Sequence, residues 1–541
     1  MTRNIVAALL ALASPAGAAA VADAPTRIPH VETRDGRHAL IVDGAPFLML
    51  AGQVNNSSNY PAALPSVWPV LDRIGANTVE VPVAWQQVEP SEGRFDFSFV
   101  QALLDGARGH GKRVVLLWFG AYKNTGPAYA PDWVKLDRRR FPMMKTRDGQ
   151  DHYVLSPHAR TTLEADKRAF VALVAYLRDH DPQNTVILVQ VENETGSYRS
   201  PRDYGPAAQK LFDGPVPAAL HRRGTWAQAY GAQADRAFNT WYTARYCGEL
   251  AAAGKAVKPL PMYVNASLAD PFKVPEPTGV ASGGPQQDVV DIWKAAAPAI
   301  DYEAPDIYDR DPAHVAAFLD AYRRPDNALA VPEIGNARDY ARFFWAAIGR
   351  GAIGFSPFGM DATGYANYPL GAKTLDEDTL EAFARPYRLF APMARDWARI
   401  AFEHPTWGTA KVDADKEGGA PQSTTMGDWR FTASYGEWQF GHRSDPWIKA
   451  EPPAWAAEPV GGAVVAQIAP DRYLLAGDHV RLDLKPRDGA PAGLMVLRVE
   501  EGRLVDGGFV VDRVWNGDQT DYGLNFVDRP VLLRVTTGRG R

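Results

Sequence analysis

The sequence predicts an α/β protein: a closed (β/α)8 TIM barrel followed by a C-terminal all-β, sandwich-like domain. Three observations carry that expectation. Between residues 47 and 400, apolar stretches rich in β-branched side chains alternate with stretches of helical periodicity, and eight such units are what a closed barrel needs. Two of the apolar stretches stop abruptly at carboxylates, as buried parallel strands do where they reach the polar rim of a barrel. Beyond residue 400 the texture changes to short alternating runs separated by turn residues, the pattern of a β-sandwich.

Bulk properties set the frame. The 541 residues exceed one compact domain and call for two or three. A net charge of −5 gives no electrostatic footing for nucleic acid or for an anionic membrane. Cys247 is the single cysteine, so no internal disulfide can form, and its helical surroundings suit a small core residue. The 15 Trp, 21 Tyr and 22 Phe are mostly core by this reading, the remainder being free to stack on flat apolar faces such as those of sugar rings.

Taken in order, the chain opens with Arg3, an apolar run from Ile5 to Ala13, and small residues through Ala22. The A-V-A at 20–22 fits a cleavage site before Asp23, and the apolar run is too short to span a bilayer. Residues 1–22 therefore read as a signal peptide, and the protein as exported, periplasmic or extracellular, with no membrane span. Residues 23–46 carry two D-G turn signals, Asp35-Gly36 and Asp43-Gly44, which predict a β-hairpin leading into the barrel.

The barrel at 47–400 has strands predicted to begin near Leu48, Thr78, Arg113, Val186, Met262, Pro305, Ala328 and Ala352. Helical patterns fall at 67–74, 99–108, 162–178, 232–253, 287–296, 313–322 and 338–349, with a last one at 379–400. Two long passages, 197–231 and 266–285, are predicted to sit over the barrel mouth. The domain at 401–541 is predicted to contain no helix and to buttress the barrel, with Trp438, Trp447 and Trp455 as side chains able to stack on carbohydrate.

The chemistry concentrates at two strand ends. The stretch 186–196 reads V-I-L-V-Q-V-E-N-E-T-G, and 328–335 reads A-L-A-V-P-E-I-G. Glu194 and Glu333 then end strands four and seven, which face the same mouth from opposite sides. Retaining glycoside hydrolysis needs two carboxyls about 5 Å apart, one protonated to assist the leaving oxygen and one ionised to attack the anomeric carbon. Their environments must drive the two pKa values apart.

Other chemistries find no support. G-F-S-P-F-G at 354–359 is one residue too long for a nucleophile elbow. No H-E-x-x-H, paired C-x-x-C or G-x-x-x-x-G-K-[ST] occurs, and neither a metal nor a cofactor is expected. His152 and His158 read as polar surface or pocket rim, and Arg138 to Arg140 as a solvated face.

Q-V-E-N-E-T-G at 190–196 resembles the Q-I-E-N-E-Y-G signature of the glycoside hydrolase family 35 β-galactosidases, members of clan A. E-V-P-V-A-W at 80–85, followed by E-P-S-E-G-R-F-D-F at 89–97, is similar to that family's strand-two signature. W-F-G-A-Y-K-N at 118–124, with P-D-W at 131–133, resembles a bacterial branch that carries an appended C-terminal β domain. The resemblance covers roughly residues 30 to 400. It implies that Glu194 is the acid/base and Glu333 the nucleophile, that Asn193 holds the sugar 2-hydroxyl, and that Tyr308 orients the nucleophile. It further implies sugar-hydroxyl contacts for Asn124 and Gln53. Glu192, whose side chain alternates with those of its neighbours, reads as a structural partner of an Arg or of backbone amides.

Three positions depart from the family pattern. Strand three ends G-A-Y-K-N at 120–124 with no acid, Thr195 stands in place of the signature's Tyr, and strand eight ends S-P-F-G-M-D at 356–361 where related barrels place Trp. The implied activity is removal of terminal β-galactosyl residues from plant oligosaccharides such as xyloglucan fragments, by double displacement. The alternatives are another retaining β-glycosidase, acting on glucosides, mannosides or arabinosides, and a non-catalytic carbohydrate-binding protein. The implied partner is a carbohydrate, and nucleic acid is not expected.

Overall fold

The computed structural model describes residues 27–412, 421–435 and 454–540. Eight parallel strands close into a barrel: β1 (Met49–Gln53), β2 (Thr78–Ala84), β3 (Arg113–Lys123), β4 (Val186–Asn193), β5 (Met262–Ser267), β6 (Tyr302–Ile307), β7 (Val331–Ile334) and β8 (Gly354–Pro357). Each pairs with the next in the chain, and β8 closes on β1 through Gly354 opposite Met49. All eight strands correspond to predicted ones. The largest displacements lie in β6, which begins at Tyr302, before the Pro305 expected to open it, and in β7, which begins at Val331, after the expected Ala328. Pro305 lacks a donor, but it is not the first residue the ladder can use.

Side chains fill the lower lumen. Phe119, Leu188, Tyr263 and Tyr302 are buried there, with the Tyr263 and Tyr302 rings stacked 5.1 Å apart. With the lumen closed by apolar packing, the polar strand ends remain at the C-terminal mouth. The other end of the barrel is covered by the N-terminal segment, through Leu40, Val42 and Phe47. That segment is a three-stranded antiparallel sheet, His30–Arg34, Arg37–Val42 and Ala45–Phe47, rather than one hairpin. Both D-G pairs turn the chain, with positive φ at Asp35 (50°), Gly36 (72°), Asp43 (55°) and Gly44 (79°), as tight hairpin turns demand.

Two predicted helices are interrupted. The one at 338–349 divides into a single turn, Arg338–Tyr340, and a helix, Phe343–Gly349. The one at 379–400 divides into Glu377–Phe390 and Ala394–Glu403, with the break at Ala391–Met393 where Pro392 cannot donate to the ladder.

The C-terminal region is two antiparallel sheets, one of six strands and one of four, enclosing Trp429, Phe431, Tyr473, Leu475, Leu482, Phe526 and Leu533. Two short helical turns, Ala454–Ala457 and Asp518–Asp521, interrupt what was predicted to be all strand and loop. The outer face of the six-stranded sheet, with Val464, Ala466, Leu474 and Ala476, joins the barrel core. Helix Phe343–Gly349 lies between the two bodies and is buried along its whole length. Trp455 packs edge-on to His479 at 4.9 Å, while Trp438, Trp447 and residues 1–22, expected to be a signal peptide, lie outside the described residues. Among the described residues, no helix is long and apolar enough to cross a membrane.

Candidate active site

The site is assembled from strand ends. β3 and β4 shift register once between Val114 and Val115, run on to Trp118 opposite Val191, and then shift again so that Lys123 pairs with Asn193. The chain of β4 is bent at its end by positive φ at Glu192 (62°) and Glu194 (44°), which bracket Asn193. Left-handed backbone at a residue with a side chain costs of order 1–3 kcal/mol and persists only where the surroundings fix it. Gly196 follows at φ 119°, where a Cβ would meet the carbonyl oxygens of Ala281 and Ser282 at 2.7 Å.

Glu192 supplies part of that fixing. It is fully buried and accepts hydrogen bonds from the amides of Gly120 (3.1 Å), Ala121 (3.1 Å) and Tyr122 (2.8 Å). Burial, and then the neighbouring Asp166 carboxyl, push Glu192 well above the usual carboxylate range; burial raises Asp166 as well. The two carboxyls lie together beneath the β3 end, with Asp166 accepting from Trp118 Nε1 (2.9 Å) and the Tyr246 hydroxyl (2.8 Å). The expectation of a structural role on backbone amides matches this placement, and no Arg takes part.

Above this layer lies a cavity of about 750 Å3 into which both Glu194 and Glu333 open, with Lys123, Asn124, Asp306 and Tyr308 on its wall. That size suits one or two sugar rings. Burial, and then the negative charge of Glu333, raise the pKa of Glu194 to about 7, against an opposing pull from Lys123. Glu333 has a donor on each oxygen: the Tyr308 hydroxyl donates to Oε1, and Gln53 Nε2 donates to Oε2 at 3.1 Å. Two donors and no acceptor suit an ionised carboxylate.

The other expected site residues divide. Tyr308 touches Glu333 as the resemblance implied, and Asn124 lines the cavity, its Oδ1 accepting from Lys123 Nζ. Asn193 is buried, its Oδ1 accepts from Lys123 Nζ at 2.8 Å, and its Nδ2 has no protein partner among the described residues. Neither Gln53 nor Asn193 is among the residues on the cavity wall; Gln53 is buried, and its amide donates to Glu333. His152 and His158 also stay off the wall. His152 hydrogen-bonds the carbonyl of Tyr198 at 3.0 Å, and His158 stacks on Phe238, where burial lowers its pKa to about 4.

Several wall residues carry no sequence signal. Lys123 and Asp306 are polar residues near the ends of β3 and β6, and Asn265, which is not on the wall, is a buried amide on β5. Of the two long passages, 266–285 reaches the cavity through Ser267, Leu268, Ala269 and Asp270. The passage 197–231 does not line it. It folds into helices Pro206–Phe212 and Trp226–Tyr230, with Trp226 packed on Phe238 of the barrel helix Ala234–Lys255. The loop after β8 instead contributes Tyr365, Asn367 and Leu370.

Residues 67–257 match a family model described as beta-galactosidase (Glyco_hydro_42), and residues 383–527 match one described as a domain of unknown function (DUF5597). A beta-galactosidase of Xanthomonas manihotis is 30% identical over 211 residues, which cover 38% of this chain and 32% of that protein. Beta-galactosidase 11 of Arabidopsis thaliana is 37% identical over 70 residues, covering 12% of this chain and 8% of that protein. The chain thus spans a third or less of the length of these curated relatives. Among solved structures, a beta-galactosidase from Bacillus circulans sp. alkalophilus has a TM-score of 0.49 at 13% identity, covering 65% of this chain and 57% of that one.

Within the barrel, residues 67–257 are thus similar to glycoside hydrolases described as beta-galactosidases. The matched model is numbered 42, whereas the signature at 190–196 resembles family 35, and both are similarities to β-galactosidases.

Proposed function

We propose that this chain is a retaining exo-β-galactosidase that removes terminal β-galactosyl residues from plant oligosaccharides such as xyloglucan fragments, acting as an exported enzyme. One observation supports this reading above the others: two carboxyls from opposite strands open into one cavity, one held protonated up to about pH 7 and the other clamped by two donors.

In the first step Glu333 attacks the anomeric carbon while Glu194 gives its proton to the leaving oxygen. The glycosidic C–O bond breaks, the leaving group departs as an alcohol, and a galactosyl ester forms on Glu333. That ester has no charge, so the repulsion that raised Glu194 disappears and its pKa falls. Glu194 then takes a proton from water, whose oxygen attacks the anomeric carbon and releases Glu333 with net retention. Asn193 Nδ2 is the donor available to the 2-hydroxyl, and Asn124 the cavity-wall amide available to another hydroxyl.

The strand-three end, where Lys123 stands and no acid does, favours testing other sugars in parallel. A panel of aryl β-glycosides with the first-formed anomer followed by NMR decides. The expected result is fastest turnover of the galactoside and release of the β anomer first. Faster turnover of a glucoside, mannoside or arabinoside would reassign the sugar, and the α anomer first would exclude retention. Sugar binding without hydrolysis of any glycoside would mark a carbohydrate-binding protein.

A further inference from the structure

Three buried polar groups form a chain beside the proposed acid/base that its chemistry does not use. The amide nitrogen of Glu194 donates to Asn265 Oδ1 at 3.0 Å, and Asn265 Nδ2 donates to Asp306 Oδ2 at 2.6 Å. Asn265 is 1% exposed and Asp306 is 3% exposed. The barrel's register makes this connection possible. In the β5–β6 ladder Asn265 lies opposite Ala304, two residues before Asp306, so both side chains point the same way. In the β6–β7 ladder Asp306 lies opposite Glu333, which brings the same carboxyl beside the other acid.

The orientation of the Asn265 amide is dictated at both ends. A backbone N–H can only donate, so it must face the oxygen, and that leaves the NH2 group for the carboxyl. What the amide holds is an unusual conformation. Glu194 is left-handed at φ 44°, and its carbonyl is held too, by the amide of Thr125 at 3.1 Å. Without its amide contact the residue can relax toward ordinary backbone, and its carboxyl would turn from the cavity.

Building on the acid/base role proposed above, we propose that Asn265 and Asp306 are positioning residues for Glu194: Asp306 fixes the amide of Asn265, and Asn265 fixes the left-handed backbone that aims the carboxyl. Asp306 does this from a buried position. The ionisable groups facing it are Glu194 on β4, Glu333 on β7, Tyr308 and Lys123 on the wall, and the buried Tyr263 and Tyr322. Burial, then Glu333 and Glu194, push its pKa well above the usual range, and Lys123 only partly opposes them. Its Oδ1 has no protein partner among the described residues.

The test compares Asp306→Asn with Asp306→Ala, and adds Asn265→Ala. Asparagine keeps an acceptor for Asn265 and is neutral; alanine removes the acceptor. Two readouts are used: the kcat and KM of an aryl β-galactoside, and the titration of Glu194 followed by 13C-carboxyl NMR, its signal identified by its loss in Glu194→Gln. The expected result is that Asp306→Asn keeps kcat within about 3-fold and leaves the titration near pH 7. Asp306→Ala and Asn265→Ala lower kcat by about 10- to 100-fold at nearly constant KM, the scale of a displaced catalytic group. In both, the Glu194 titration moves down toward the ordinary carboxylate range as the side chain gains solvent. If Asp306→Asn behaved as Asp306→Ala does, or if neither alanine moved the titration, the inference would be overturned. The titration is read without turnover, so a wild-type chain that hydrolysed no galactoside would refute the proposed function alone.

Discussion

In the mechanism proposed above Glu194 begins the cycle with a proton that Glu333 lacks, and the burial of Glu194 beside Glu333 supports that division. Because the Glu194 pKa is raised to about 7, the protonated acid is lost as pH climbs through that value. The alkaline limb of kcat/KM is therefore predicted near pH 7, and Glu194→Ala should abolish it for the glycosylation step. On substrates with poor leaving groups that variant should lose about 10^2- to 10^4-fold in rate, the usual contribution of a general acid. On activated aryl galactosides the loss should be much smaller, and added azide should restore turnover with a β-azide product. An α-azide, or an unchanged alkaline limb, would remove Glu194 from the role. The two acids were legible in the sequence because each ends an apolar strand, where a carboxylate is costly to bury without a purpose. Asn265, Asp306 and Lys123 were not, because one polar residue in a short strand has no periodicity or spacing to mark it. Gln53 was legible as a site residue but not as a donor to Glu333, since that contact depends on how β1 lies across the barrel from β7.

At the scale of elements, the strands were readable and the helix interruptions were not. The split of 338–349 comes from tertiary contacts: the Tyr340 hydroxyl donates to the Tyr308 carbonyl at 2.7 Å, and its ring lies against Gly335, where a Cβ would come within 2.3 Å. Nothing local in the sequence announces that contact, which ties the start of the helix to the strand carrying Tyr308. The remaining helix, Phe343–Gly349, is where the barrel meets the β domain. A Cβ at Gly408 would lie 2.1 Å from the Trp345 carbonyl oxygen, and one at Gly349 would lie 2.2 Å from the backbone of Gly408. Gly408→Ala should therefore destabilise the protein by about 2 kcal/mol or more, since the obstacle is backbone that cannot rotate away. Thermal denaturation would show it; an unchanged melting temperature would mean that the two bodies separate without cost.

For the whole molecule, the proposed catalytic arrangement carries a stability penalty that pH can reveal. A carboxyl whose folded pKa is raised keeps its proton in the folded chain while the unfolded chain has already lost it. Stability contributed at this site therefore falls as pH rises from about 4.5 toward about 7, and stays at its lower level above. Glu194→Gln lacks that slope. It should be more stable than the wild type above pH 7, by on the order of 1 kcal/mol after solvent screening at the cavity mouth, and equal to it near pH 4. Denaturant titrations at the two pH values would show this, and a constant difference would contradict it. The two-domain organisation was legible from the change of texture after residue 400, whereas the burial of helix Phe343–Gly349 between the domains was not, because its apolar residues read equally well as barrel core.

The most direct measurement of the central claim is to trap the glycosyl-enzyme. A 2-deoxy-2-fluoro-β-galactoside with an activated leaving group should inactivate the protein with one label per chain, because the fluorine slows the second step more than the first releases its leaving group. Peptide mapping by mass spectrometry should place that label on Glu333, and Glu333→Gln should take up none. A label on any other residue, or brisk turnover with inversion and no label, would contradict the assignment of Glu194 and Glu333 as a retaining pair.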